Sequence, residues 1–236
     1  MNKEKTWADA NRPMRVFEKV LQGGLGAGNV GVVMSRHGTG KAAVLASITI
    51  DQAMHGTNCL HVVYGQGVAD VRAFDDEILQ ELCKSLNIAE KGEVFTAVER
   101  RKQIYTYQTG QLTPARLRQT LEFLSTHAEF RPGLIFLQGW PDFRALTVDE
   151  MRALKGIAVE YHCELWMAAH TSQQDFVNKD GVPDYLAKFM TNISVLVKLE
   201  PKDKNVMIKF VKTHDRIPPA DPHLEFDPAT MLVRWQ

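Results

Sequence analysis

The chain has 236 residues, 44% of them hydrophobic and 24% charged, with 28 acidic and 28 basic side chains in balance. That length accommodates one large α/β domain with a full core, and the balanced charge excludes global steering toward nucleic acid or an anionic membrane. No apolar stretch approaches the ~18 residues of a membrane helix, the polar start Met1-Asn2-Lys3-Glu4-Lys5-Thr6 offers no apolar signal-peptide run, and Cys59, Cys83 and Cys163 are too sparse for a disulfide framework or a zinc knuckle. The expectation is a cytoplasmic protein with buried, reduced cysteines, no membrane contact and no metal centre.

After Asn11-Arg12-Pro13, the spacing of Phe17, Val20 and Leu21 predicts a short helix over 13–21. A glycine-dense turn follows, Gly23-Gly24-Leu25-Gly26-Ala27-Gly28. Residues 30–34 read as a buried strand that Gly31 weakens, and 41–55 as a helix turning Val44, Leu45, Ile48, Ala53 and Met54 inward. A second strand, 59–64, ends at Gly65-Gln66-Gly67. Helices are predicted over 72–86, with Phe74, Ile78, Leu82 and Leu86 as the stripe, and over 93–101. Residues 102–111 are ambiguous, Tyr105 and Tyr107 alternating like a short strand. Thr113-Pro114 starts the next helix, with proline at its first position.

Leu134-Ile135-Phe136-Leu137 is the continuous apolar run of a central parallel strand. A helix over 148–161 and a buried strand over 164–169 follow, with His170 at the strand's end. To this point the alternation is βαβα, implying a mainly parallel sheet with right-handed crossovers. The tail differs: 193–199 and 206–212 form a hairpin around 201–205, Pro218-Pro219 marks a rigid loop, and 224–226 with 231–235 form a last pair. The whole, 1–236, reads as one domain.

Between the first strand and its helix lies Ser35-Arg36-His37-Gly38-Thr39-Gly40-Lys41-Ala42. The phosphate-loop pattern is G-x-x-x-x-G-K-[ST]. Gly40 and Lys41 fit it, Ser35 stands at the first glycine, and Ala42 stands where a hydroxyl would meet Mg²⁺. Serine at that first position requires a backbone without positive φ.

Taken in order, the glycine element 23–28, the loop 35–42, the strands ending at Gln66, Gln138 and His170, and the C-terminal hairpin resemble the RecA-like P-loop ATPases, most closely the KaiC-like branch, across about residues 14–235 with divergence over about 68–130. The resemblance implies a three-layer fold, a mainly parallel sheet with an antiparallel C-terminal extension. It implies phosphate binding by Ser35, Gly38, Thr39, Gly40, Lys41 and Ala42. Family chemistry further asks for a hydroxyl and a carboxylate on Mg²⁺, a glutamate for the attacking water, and cations for the developing charge. Here Ala42 lacks the hydroxyl, Gln138 replaces the metal carboxylate, and Gln66 replaces the water-activating glutamate. His170 takes the sensor position, Lys212 matches the lysine of a basic pair that contacts the neighbouring subunit's nucleotide, and His214 stands in place of that pair's arginine.

Three coordinated losses predict absent or very weak ATPase activity. ATP or another nucleotide would bind weakly, and Mg²⁺ would not be held tightly. The expected role is a regulatory or assembly module acting with a protein partner. A homo-oligomer is implied, a hexamer being the common form. One alternative is an active hydrolase with rearranged metal ligands, Asp142 or Asp70. Another is a single-strand nucleic-acid binder using Arg100, Arg101, Lys102, Tyr105 and Tyr107; the balanced charge disfavours it. His55 and His61 flank a turn without a third ligand, and Trp140 and Trp166 read as packing residues.

Overall fold

The computed structural model describes residues 14–216, 218 and 223–235; the polar start, residues 1–13 and Pro219 lie outside them. The elements are α1 (Arg15–Val20), β1 (Val30–Ser35), α2 (Lys41–Met54), β2 (Cys59–Tyr64), α3 (Val68–Ser85), α4 (Lys91–Arg101), β3 (Lys102–Tyr107), α5 (Pro114–His127), β4 (Leu134–Gln138), α6 (Val148–Glu160), β5 (Glu164–His170), α7 (Asp184–Ala187), β6 (Val195–Lys202), β7 (Asn205–Thr213), β8 (Leu224–Asp227) and β9 (Leu232–Trp235).

They form an α/β fold around a nine-stranded sheet of order β3-β2-β4-β5-β1-β6-β7-β8-β9. The strands from β3 to β6 are parallel, and β6 to β9 extend the sheet antiparallel. Each central strand alternates its side chains between two apolar cores. Val33 and Phe136 join α1 to α4 on one face. Val32, Leu137 and Leu165 join α5, α6 and α7 on the other. Burial on both faces is why these strands read as unbroken apolar runs.

Local chemistry fixes the helix starts. Thr113 Oγ1 accepts from Arg116 N at 3.2 Å, with Pro114 at the first turn. Thr147 and Glu150 cap each other reciprocally, opening α6. The β6–β7 hairpin turns at Asp203 with φ 52°. Gly31 is a packing requirement rather than a weakness of β1: a Cβ there would lie 2.4 Å from the Trp166 ring. The glycine lets that indole, 2% exposed, lie flat against the strand. Trp140, by contrast, lies in the loop beyond β4 and is half-buried against the α5–α6 core.

The topology creates a crevice. From β1 the chain leaves through α2 on one face, and from the neighbouring β5 through α7 on the other. The pair β2 and β4 diverges in the same way, through α3 and α6. Opposed exits place a groove position outside the carboxyl ends of these four strands, the place where open α/β sheets bind ligands.

Candidate functional site

Register brings the sequence candidates to that groove. Ser35 pairs with His170, and Gln138 with Val63, two residues before the Gly65-Gln66 turn. Ser35 has no positive φ, whereas Gly38 and Gly40 have φ of 75° and 91°; the serine therefore fits the position the sequence assigned it. Gly40 in the left-handed region caps α2 without any side-chain hydrogen bond, so the amides of the helix's first turn face the loop free of side-chain caps.

Lys41 folds back over this nest. Its ammonium donates to Ser35 O at 3.0 Å, Ser35 Oγ at 3.0 Å and Arg36 O at 2.9 Å, using all three of its donors. Desolvation lowers its pKa. Thr39 is buried beside it, and Ala42 is half-buried.

Opposite the loop, the rings of His170 and His37 meet edge to face, 5.7 Å between centroids. Desolvation, then the charges of Lys41, His37 and Arg144, push His170 below the ordinary histidine range, with Asp175 pulling the other way. Arg144 grips Asp175 with two bonds of 2.7 and 2.9 Å, donates to His170 O at 3.1 Å, and lies 4.2 Å over the Tyr185 ring. Tyr185 donates to the same carbonyl at 2.7 Å, and burial pushes its phenol up to about 12. These contacts fix the loop after β5 beside residues 35–42.

The two glutamines meet directly: Gln138 Nε2 donates to Gln66 Oε1 at 3.0 Å. Gln138 Oε1 in turn lies 3.0 Å from His61 Nε2, and His61 Nδ1 lies 3.1 Å from Asp75 Oδ2. Lys102 donates to that same oxygen. His61 is fully buried and stacks on Phe136 at 4.4 Å. A continuous polar chain thus runs from Lys102 through the core to the groove. Two proton arrangements satisfy it. With imidazolium, His61 donates to both neighbours; with neutral imidazole, both amides turn over and Gln138 Nε2 donates to His61.

Sequence reading missed this chain. The sequence places His61 in the second strand but shows neither its burial nor its partners Gln138 and Asp75. The available signal was a lone histidine in an apolar strand and Asp75 on the inner face of α3, where Val71, Asp75, Ile78, Leu79 and Leu82 are buried. Three members of the proposed nucleic-acid patch make internal contacts: Lys102 with Asp75, Arg101 with Asn58 Oδ1 at 3.2 Å, and Tyr107 with the Thr120 hydroxyl.

Asp142 accepts from Arg144 N at 3.0 Å, and Asp70 is exposed in the first turn of α3. Lys212 donates to the Met190 and Ile193 carbonyls at 2.6 and 2.7 Å, and His214 Nε2 lies 3.3 Å from Gly24 O. Thr213 is level with Val195 and hence with Gly31. That is four strand positions, about 13 Å, short of Ser35, so both residues sit at the opposite end of the sheet from their own loop.

Among the described residues no group of three or more His, Cys, Asp or Glu could hold a metal ion, and no helix is long and apolar enough to cross a membrane. No family model and no curated protein matches the chain.

Proposed function

We propose that this chain is a degenerate relative of the RecA-like, KaiC-like P-loop ATPases, binding a nucleotide or another phosphate-rich anion weakly at residues 35–42, with little or no hydrolysis. The observation that carries the reading is the Gln138–Gln66 bond of 3.0 Å. Two carboxylates so placed would repel each other or bridge a cation. Two amides satisfy each other, attract no Mg²⁺, and cannot take a proton from water at neutral pH. Ala42 removes the remaining metal ligand, and Asp142 accepts a backbone amide at Oδ1. The groove's unspent charge is instead the Lys41 ammonium, which has only neutral acceptors, above the open amides of α2. This favours an anion. A homo-oligomer belongs to the same reading, since Lys212 and His214 could meet a phosphate loop only on a neighbouring copy.

Titration with ATP tests it. Affinity is expected to change less than about threefold when Mg²⁺ is added, with hydrolysis no faster than in Lys41→Ala protein. Mg²⁺-dependent turnover that disappears in that variant overturns the reading.

A pH dependence follows from His170. Its pKa in the free protein lies below the ordinary value of 6.5. An anion beside it favours the imidazolium, so binding takes up a proton and tightens as pH falls. Sulfate keeps a constant charge between about pH 8 and pH 5.5, where histidine titrates. Its affinity is expected to rise several-fold across that span, and His170→Gln is expected to flatten the rise. A flat profile in the native chain would remove His170 from the site.

A further inference from the structure

A cavity of about 380 Å³ opens between α3, α4 and β3, away from the glycine-rich loop. Small-molecule sites span roughly 300–1,000 Å³. Phe95 and Tyr105 supply aromatic wall, while Asp76 from α3 and Glu99 from α4 line the cavity without a hydrogen-bond or ion-pair partner among the described residues. Asp75, 2% exposed, is a third wall carboxylate. Its Oδ2 is committed to His61 and Lys102, while Oδ1 is buried with no hydrogen-bond partner. An acceptor left unmet in the interior calls for a donor. Since Lys102 is spent on Asp75, the remaining charge is two carboxylates against the exposed Arg72.

We propose that this cavity binds a small organic cation, an amine or guanidine on a short aliphatic body, and that its occupancy is felt at Gln138 and Gln66. The aromatic walls suit a cation with a carbon body. A donor drawn toward Asp75 weakens that carboxylate's hold on His61. His61 positions Gln138, which holds Gln66. Coupling of this kind is reciprocal. The site stands whether or not the loop holds a nucleotide.

Agmatine is the probe, titrated by calorimetry at low salt, with adipate as an anion of similar length. One agmatine is expected to bind per chain. Affinity is expected to fall at least about tenfold in the Asp76→Asn, Glu99→Gln double variant and to be unchanged in Lys41→Ala. In ¹⁵N spectra, saturation is expected to shift the side-chain amide signals of Gln138 and Gln66. No saturable agmatine binding by natively melting protein, equal binding of adipate, or indifference to the double variant overturns the site. Binding with both amides unmoved overturns the link to the loop.

Discussion

Replacing Asp75 by alanine is expected to cost about 3–5 kcal/mol of folding stability, the range found when one partner of a buried ion pair is removed. The carboxylate is 2% exposed and holds two cationic or proton-bearing groups at once, His61 and Lys102. Its loss strands Lys102, itself 9% exposed, and leaves a fully buried imidazole without its Nδ1 partner. Burial by itself pushes the Asp75 carboxyl upward; the His61 hydrogen bond and the Lys102 charge outweigh it and hold the net pKa below the ordinary value. The sign of the pH effect follows. A carboxyl lowered in the folded state contributes stability above the unfolded pKa of about 3.9 and loses it as pH falls through the folded value. Urea unfolding of native and Asp75→Ala protein should therefore show a constant gap from neutral pH down to about pH 5, narrowing below about pH 4. A gap under about 1 kcal/mol at neutral pH would mean that the buried chain contributes little net stability.

That prediction rests on residues the sequence did not advertise, and the reason is physical. Periodicity reports which positions are buried, not which buried polar groups face one another. The stripe Phe74, Ile78, Leu82 and Leu86 gave the correct helix but a rotated face: Phe74 and Leu86 are half-buried, while Val71, Asp75 and Leu79 are buried. Asp75 reads as an interruption until the fold brings His61 beneath it. The central strands were legible because both faces of each are covered. β3 was ambiguous because it is an edge strand, half-buried along its whole length. Helix α7, four residues long, is too short to show a period.

The groove was legible in part. Gln66 and Gln138 could be placed at strand ends from their position after apolar runs. Their direct bond depends on the Val63–Gln138 register, which no local pattern encodes. Gln138 also has a structural role in the fold. Gln138 has an acceptor to offer His61 and a donor to offer Gln66 at the same time. The Gln138 amide is thus part of the buried chain as well as of the strand ends.

Lys41→Met is expected to lower affinity for a phosphate-rich anion by about 10- to 100-fold, the worth of a hydrogen bond to a charged group at ~1.5–3 kcal/mol, while leaving thermal stability nearly unchanged. The stability half of this expectation comes from what remains when the ammonium goes. Ser35 O still accepts from Thr171 N at 2.9 Å, and Ser35 Oγ still donates to Arg36 O at 2.9 Å. Neither carbonyl is orphaned, and Arg36 is exposed to water. Methionine keeps the stem's packing volume without the charge. The affinity half is tempered by the same contacts: in the free protein Lys41 must break bonds to Ser35 and Arg36 before it can reach a phosphate, so only the surplus of the new bonds over the old ones appears as binding. Calorimetry with sulfate and ATP, paired with thermal unfolding of both proteins, separates the two halves. Unchanged affinity in a stably folded Lys41→Met chain would place the anion away from this loop. Loss of folding would instead make Lys41 a strut that fastens the end of β1 to the start of α2.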